Sequence, residues 1–380
     1  MNASLQNFLG LCQFLALNQA TETIERLRCE IRRDSVDWEA IVQIANQQLV
    51  SPALWISLMD KGLHEDLPDE LRCYLSGLHN LNVQRNGLIK QQAEEIIKSL
   101  NRVGIEPILL KGGALLLTNA FSDFGTRIME DLDIMVLGTD VEQSWKTLSS
   151  LGYRNHESNE EVDERSHHLP NMIRDGEPAA IELHTQLFDR YDRTMVLTSA
   201  DCFREAISIK TKSLSYKVLS LPHFIIHNIV HIEVHHLHFY SGKISLRQLL
   251  DFAFISDTQS NAVDWESLED RMKEHHIRHI YSSYVHMAAT LLNSGVPGCY
   301  PTIGSRLHLR RRFFVYGSNR RQGLSWWLTD PVRLCRIVSR NLTAQRLKIL
   351  SGYSGAVPDL NKSRLKYLLF LFRKYFLNAR

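Results

Sequence analysis

The chain has no Cys-x-x-Cys pair. Its cysteines, Cys12, Cys29, Cys73, Cys202, Cys299 and Cys335, are scattered along 380 residues, which argues against a zinc ribbon or a disulfide framework and fits a reducing compartment. The N-terminus Met1-Asn2-Ala3-Ser4 lacks the basic start and long apolar run of a secretory signal, and no apolar stretch is long enough to cross a bilayer. A cytoplasmic protein, at most peripheral to a membrane, is expected. Internal repeats are also lacking. Asp264-Trp265-Glu266-Ser267 echoes Asp37-Trp38-Glu39-Ala40, but four residues do not make a repeat. Acidic residues are scarce at one end: from Pro301 onward 17 Lys+Arg face only Asp330 and Asp359, although the whole chain carries just +2. A basic tail on an acidic body calls for an anionic partner such as RNA or anionic lipid, or for docking on the body itself.

What is present is an ordinary globular composition and a change of period along the chain. Helical spacing covers 5–33 and 37–62, the second opening at Ser35 or Asp37, and returns over about 68–101 with a break expected near Gly77 or Gly87. Residues 105–110 are short and β-like, Gly112-Gly113 punctuates, and 114–118 opens a short helix. A buried strand follows at 132–137, then a helix over about 140–151 ending at Gly152, and a strand at Tyr153-Arg154. Residues 157–164 read as an acidic mobile loop. Asp175-Gly176 marks a hairpin between 168–174 and 179–185. From Pro222 helix resumes. The expected organisation is a helical N-terminal region (1–103), an αβ core (104–215), a helical region packed on it (216–300) and a basic helical C-terminal region (301–380).

The chemistry concentrates in the core. Asp131 and Asp133 are two apart on a strand and share one face. Paired carboxylates resist joint ionisation unless a cation sits between them, and a hard divalent metal is the usual solution. Upstream, Lys111-Gly112-Gly113 offers backbone N–H groups to a phosphate at a helix start. Glu182 and His184 share a face of the later hairpin arm, so Asp131, Asp133 and Glu182 converge if that arm lies beside the aspartate strand. Such a trio suits two-metal transfer chemistry with Mg²⁺ or Mn²⁺.

Leu110-Lys111-Gly112, Arg127, Asp131-Leu132-Asp133 and Ile181-Glu182-Leu183-His184 resemble the bacterial uncharacterised nucleotidyltransferase family of the DNA polymerase beta-type superfamily. Asp37-Trp38, Ser51-Pro52-Ala53-Leu54 and Leu246-Arg247-Gln248-Leu249-Leu250-Asp251 are in keeping with it, so the likeness spans roughly residues 35–295. It implies an α+β fold, a small mixed-sheet nucleotidyltransferase core flanked by helical N- and C-terminal regions. It also implies metal-binding Asp131 and Asp133, a third carboxylate at Glu182, and transfer of a nucleoside monophosphate from an NTP to an acceptor hydroxyl or phosphate. Where many superfamily members carry Gly-Ser, this chain has Gly112-Gly113, which leaves the triphosphate to Lys111 and Arg127. Two rivals stay open: a non-catalytic binding protein of the same fold that uses its basic tail on RNA or membrane, and a toxin-like transferase acting on tRNA.

The remaining polar residues carry two readings each. Arg127 suits a triphosphate oxygen, or a salt bridge to an aspartate. His184 could orient Glu182 or the acceptor, or be a hydrogen-bonded core histidine. Glu130 is expected to be solvated on the opposite face from Asp131. His223, His227, His231 and His235 recur every four residues, with His236 and His238 nearby, as either a metal or phosphate stripe or a packed helix face. Arg247 and Asp251 form an intrahelical pair by default. Arg310-Arg311-Arg312 and Arg320-Arg321 lie near Phe313, Phe314, Tyr316, Trp326 and Trp327 and could grip RNA. The apolar segment 365–376 with basic flanks reads as an interfacial or a core helix.

Overall fold

The computed structural model describes residues 2–121, 123–156, 169–188 and 196–318. The acidic segment 157–164, the start of the first hairpin arm at His168, and the basic stretch beyond 318 with Arg320, Arg321, Trp326, Trp327 and 365–376 lie outside the described residues.

Helices open the chain, in more pieces than periodicity alone indicates. The expected helix over 5–33 is two, α1 (Ala3–Leu15) and α2 (Thr21–Arg32). Asn18 turns the chain at φ +47°, and the Leu17 amide is drawn to Leu292 O at 2.8 Å. The next stretch divides into α3 (Trp38–Gln47), capped by the Asp37 carboxylate on the Ala40 amide at 3.1 Å, and α4 (Ser51–Asp60). Between them Leu49 takes φ +57°, and Pro52 sits in the first turn of α4, where its missing N–H costs nothing. The opposite happens in α5 (Asp69–Arg102), which runs 34 residues through Gly77 and Gly87. Isolated glycines cost a helix only about 1 kcal/mol each, and the tertiary packing of α5 outweighs that.

Among the described residues, seven strands form one mixed sheet: β1 (Ile108–Leu109), β2 (Asp131–Met135), β3 (Arg154–Asn155), β4 (Met172–Ile173), β5 (Ala180–His184), β6 (Ile207–Lys210) and β7 (Ser215–Val218). Their order is β3-β4-β5-β2-β1-β7-β6. β2 and β5 are parallel neighbours with Asp133 opposite Glu182, and β1 is antiparallel to β2 but parallel to β7. The hairpin at Asp175-Gly176 forms, with Gly176 at φ +86° and Met172 opposite Ile181. β1 is shorter than the expected 105–110. The β6–β7 hairpin is additional, and its alternation of Ile207 and Ile209, then Tyr216 and Val218, is an ordinary strand signal.

The period of two on β2 divides its residues between two layers. Leu132, Ile134 and Val136 pack with Ile89, Ile96 and Leu100 of α5. Asp131 and Asp133 therefore face the other way, where Met135 joins the helical cluster around Phe224, Phe252 and Tyr284. α6 (Lys111–Leu117) and α7 (Val141–Ser150) flank the sheet, and Gly152 closes α7 at φ +91°. After β5 come α8 (Ser199–Glu205), then α9 (Leu221–Val230), α10 (His238–Ser241), α11 (Leu246–Thr258), α12 (Trp265–Glu274), α13 (Arg278–Leu292) and α14 (Ile303–Gly317). The fold is α+β, a small mixed sheet flanked by helices. Among the described residues no helix is long and apolar enough to cross a membrane.

Candidate active site

Asp133 sits at the centre of the sheet with 1% of its surface exposed. Lys111 Nζ donates to its Oδ1 at 2.6 Å and stands 4.0 Å from Glu182 Oε2. His184 Nε2 approaches the same two oxygens, at 2.8 and 3.6 Å. Lys111 is placed there by a left-handed φ of +45° between Leu110 and the first turn of α6. For a residue with a Cβ that conformation costs about 1–3 kcal/mol, and such strain concentrates at functional sites.

The carboxylates are electrostatically unequal. Burial alone would raise Asp133, but the Lys111 ammonium and the His184 hydrogen bond outweigh it and hold the group well below the usual carboxylate range. Asp131 is pushed up to about 6, first by burial and then by the Asp133 charge, with Lys111 partly opposing. Glu182 is held low because the His184 hydrogen bond and Lys111 overcome its burial. His184 is raised in turn, since its bonds to Asp133 and Glu182 outweigh its burial. Such separation of neighbouring acids is a mark of chemical sites rather than of surface ion pairs.

The loop before β2 is hung on a row of polar side chains from α5. Asn82 Nδ2 donates to Gly125 O (2.6 Å) and Arg127 O (3.0 Å), and Asn86 Nδ2 to Phe124 O (2.8 Å) and Arg127 O (3.0 Å). Arg85 reaches Met129 O and Pro178 O, and Gln92 holds Ala179 O at 2.8 Å just before β5. The same helix therefore fixes both carboxylate strands. Arg127 then crosses the start of α6. A Cβ on Gly112 would fall inside contact distance of its guanidinium, 3.0 Å from Cζ, and one on Gly113 would meet Leu132 Cδ1 at 2.9 Å. Both glycines are buried, and close packing explains them.

Arg127 is tied to Asp251 of α11, its Nε 2.9 Å from Oδ1. The expected Arg247–Asp251 pair within one helix is not the arrangement adopted: Arg247 instead bridges to Glu130 at 2.9 Å. Each partner of the default pair turns instead to a counter-charge offered by the loop at 127–130. Glu130 is exposed, as expected, yet it stands on the rim of the site rather than free in solvent.

A cleft of about 360 Å³ opens over these groups, lined by Lys111, Arg127, Asp131 and Glu182 on the sheet side and by His231, His235, His236, His238, Arg247 and Gln248 on the helical side. The histidine stripe does not stay on one helix face. After Val230 the α9 backbone widens into a π turn, His231–His235, closed by the His236 amide on His231 O at 2.9 Å. π turns often mark functional sites. His223 faces away to Glu205 (2.9 Å) and His227 packs edge-on to Phe188, so only the later histidines reach the cleft. Burial keeps His231 well below its ordinary value and His236 at about 4, so both are neutral near pH 7. Behind Arg127 and Arg247 lies a second, mainly apolar pocket of about 140 Å³, walled by Leu15, Val50, Phe121, Leu250 and Phe254.

The residues singled out in sequence thus fall together: Lys111, Arg127, Asp131 and Glu182 line one cleft, and the buried Asp133 and His184 contact Lys111 and Glu182. Sequence reasoning missed the α5 row, Arg247 as a cleft residue, and Asp251 as the partner of Arg127. Asn82, Asn86 and Gln92 did carry a signal, polar residues at helical spacing on the face that α5 must bury.

No curated protein and no solved structure matches the chain. A family model described as uncharacterised nucleotidyltransferase matches residues 34–293. That span holds every strand of the sheet, the three carboxylates and the whole cleft. The chain belongs to the uncharacterised nucleotidyltransferase family.

Proposed function

We propose that the protein moves a nucleoside monophosphate from an NTP to an acceptor hydroxyl or phosphate, in a metal-dependent reaction centred on Asp131, Asp133 and Glu182. The observation that carries this reading is the register of β2 on β5, which sets Asp133 opposite Glu182 with Asp131 one step along the same face. The donor set fits a divalent ion: single donor atoms of Asp133, Glu182 and His184 all lie within 4.8 Å of one another. Divalent ions bound there would neutralise the triphosphate and activate the attacking hydroxyl. The chain's own residues supply the rest. Lys111 and Arg127 face the cleft where a triphosphate would lie, Arg247 adds positive charge, and the buried glycines allow Arg127 to approach the start of α6. Glu182, the third carboxylate, completes the metal site or takes the proton of the acceptor hydroxyl.

The acceptor is a small molecule, saccharide or peptide in this reading. The test is thermal stabilisation by each of the four NTPs with Mg²⁺ or Mn²⁺, alongside Asp131→Asn and Asp133→Asn. A shift with at least one NTP, lost in both variants, is expected. No shift with any NTP and either ion would overturn the proposal.

A further inference from the structure

Two nitrogen groups from different elements of the fold converge on the same pair of oxygens. Lys111 Nζ is 2.6 Å from Asp133 Oδ1 and 4.0 Å from Glu182 Oε2. His184 Nε2 is 2.8 and 3.6 Å from those same atoms. The two carboxylate oxygens and the imidazole nitrogen form a donor set whose atoms lie within 4.8 Å of one another, close enough to share one cation. The imidazole belongs to that set rather than behind it. His184 faces both carboxylates with one nitrogen and is 1% exposed. The separations also fit ligation, because two donors about 2.1 Å from one ion at right angles are about 3 Å apart.

We propose that His184 Nε2 is a direct ligand of one metal ion, with Asp133 and Glu182, and that this site therefore selects a first-row transition ion over Mg²⁺. The inference rests on the metal-dependent reading above and deepens it. Mg²⁺ takes oxygen ligands and keeps its waters, while imidazole nitrogen favours Mn²⁺, Fe²⁺, Co²⁺ or Zn²⁺ in rising order of affinity along most of the row. Ligation needs the ring proton on Nδ1, the tautomer opposite to the one that donates to Asp133. It also needs Lys111 to leave Asp133 Oδ1, and its flexible stem can turn the ammonium into the cleft toward the triphosphate. Mixed nitrogen and oxygen ligation is what separates this site from one built of carboxylates alone.

The probe is Mn²⁺ bound to the full chain, read by electron spin-echo envelope modulation and by calorimetric titration against Mg²⁺. The wild-type protein is expected to show nitrogen coupling to Mn²⁺ that changes on ¹⁵N labelling of histidine. The coupling should vanish in His184→Gln and persist in His236→Gln. The Mn²⁺-to-Mg²⁺ affinity ratio should fall by about tenfold or more in His184→Gln, which puts an amide oxygen where the nitrogen was. Mn²⁺ bound without histidine coupling in the wild type overturns the inference, and it does so whether or not His184→Gln folds. That result leaves the nucleotidyl-transfer reading standing if NTP stabilisation persists, whereas absence of binding by any divalent ion removes both.

Discussion

Arg127 reaches Asp251 across 124 residues of chain, its Nε 2.9 Å from one carboxylate oxygen and 3.0 Å from the other. The pair joins the loop that precedes β2 to helix α11, with side-chain exposures of only 12% and 4%. Removing one partner of a buried pair strands the other charge, at a cost of about 3–5 kcal/mol. Asp251→Ala should lose stability on that scale in urea denaturation, and Asp251→Asn distinctly less, because an oxygen still faces the guanidinium. Equal losses in the two variants would mean that the packing of α11, not the ion pair, sets the effect.

Gly112→Ala tests the same arginine from the other side. The new methyl would press on the Arg127 guanidinium and lie 3.1 Å from Met129 Cγ. The guanidinium can shift, so the stability loss should stay near 1–3 kcal/mol, the ordinary cost of overpacking. The larger effect is expected on nucleotide binding, since Arg127 would be displaced within the cleft. Calorimetry should show NTP affinity reduced by about tenfold or more, and an unchanged affinity would remove Arg127 from the triphosphate site.

Asp131 carries an electrostatic cost in the folded protein. Burial and the charges of Asp133 and Glu182 push its carboxyl up to about 6, so its ionised form, although predominant at pH 7.5, is held at a free-energy cost relative to the unfolded chain. Asp131→Asn removes that charge and keeps the shape. In chelator it should be more stable than wild type, by roughly 1 kcal/mol, while losing its stabilisation by metal and NTP. A lower melting temperature in chelator would show that Asp131 is a structural ion-pair member instead.

How much of this was legible in the chain depends on how local each signal is. The Asp37 cap, the Gly152 terminus, the Asp175-Gly176 turn and the face shared by Asp131 and Asp133 are set by neighbours in sequence, and each appears as read. The breaks at Asn18 and Leu49 were not legible, because left-handed turns at residues other than glycine are decided by what the flanking helices pack against. The two-residue β1 is a strand only because β2 and β7 lie on either side of it. In the site, the carboxylates were legible from spacing. Arg127 was visible as a candidate, but its partner was not, since helical spacing pointed Asp251 at Arg247 and only the tertiary fold pointed it elsewhere. The histidine stripe was legible only in part, for a related reason. A period of four assumes an unbroken α-helix, and the π turn at 231–235 re-aims its second half.

That π turn is anchored by a buried ion pair, and the pair makes a prediction whose sign depends on pH. Glu233 of the turn and Arg312 of α14 bind each other with 2% of each side chain exposed, and Arg312 Nη1 also donates to Lys243 O at 2.8 Å. Burial raises the Glu233 carboxyl, with Arg312 opposing. In Arg312→Met the opposition is gone and the folded-state value rises further above the unfolded one. Such an acid binds more protons folded than unfolded across the intervening range, so its stability contribution is full below the unfolded value and is lost as pH rises. Arg312→Met should therefore be destabilised much more at about pH 8 than at about pH 5, by at most about 1.4 kcal/mol per pH unit. The double variant with Glu233→Gln should show no such slope. Urea midpoints at the two pH values decide it: a constant gap between Arg312→Met and wild type would mean that Glu233 stays ionised without its partner and that α14 holds the turn by packing alone.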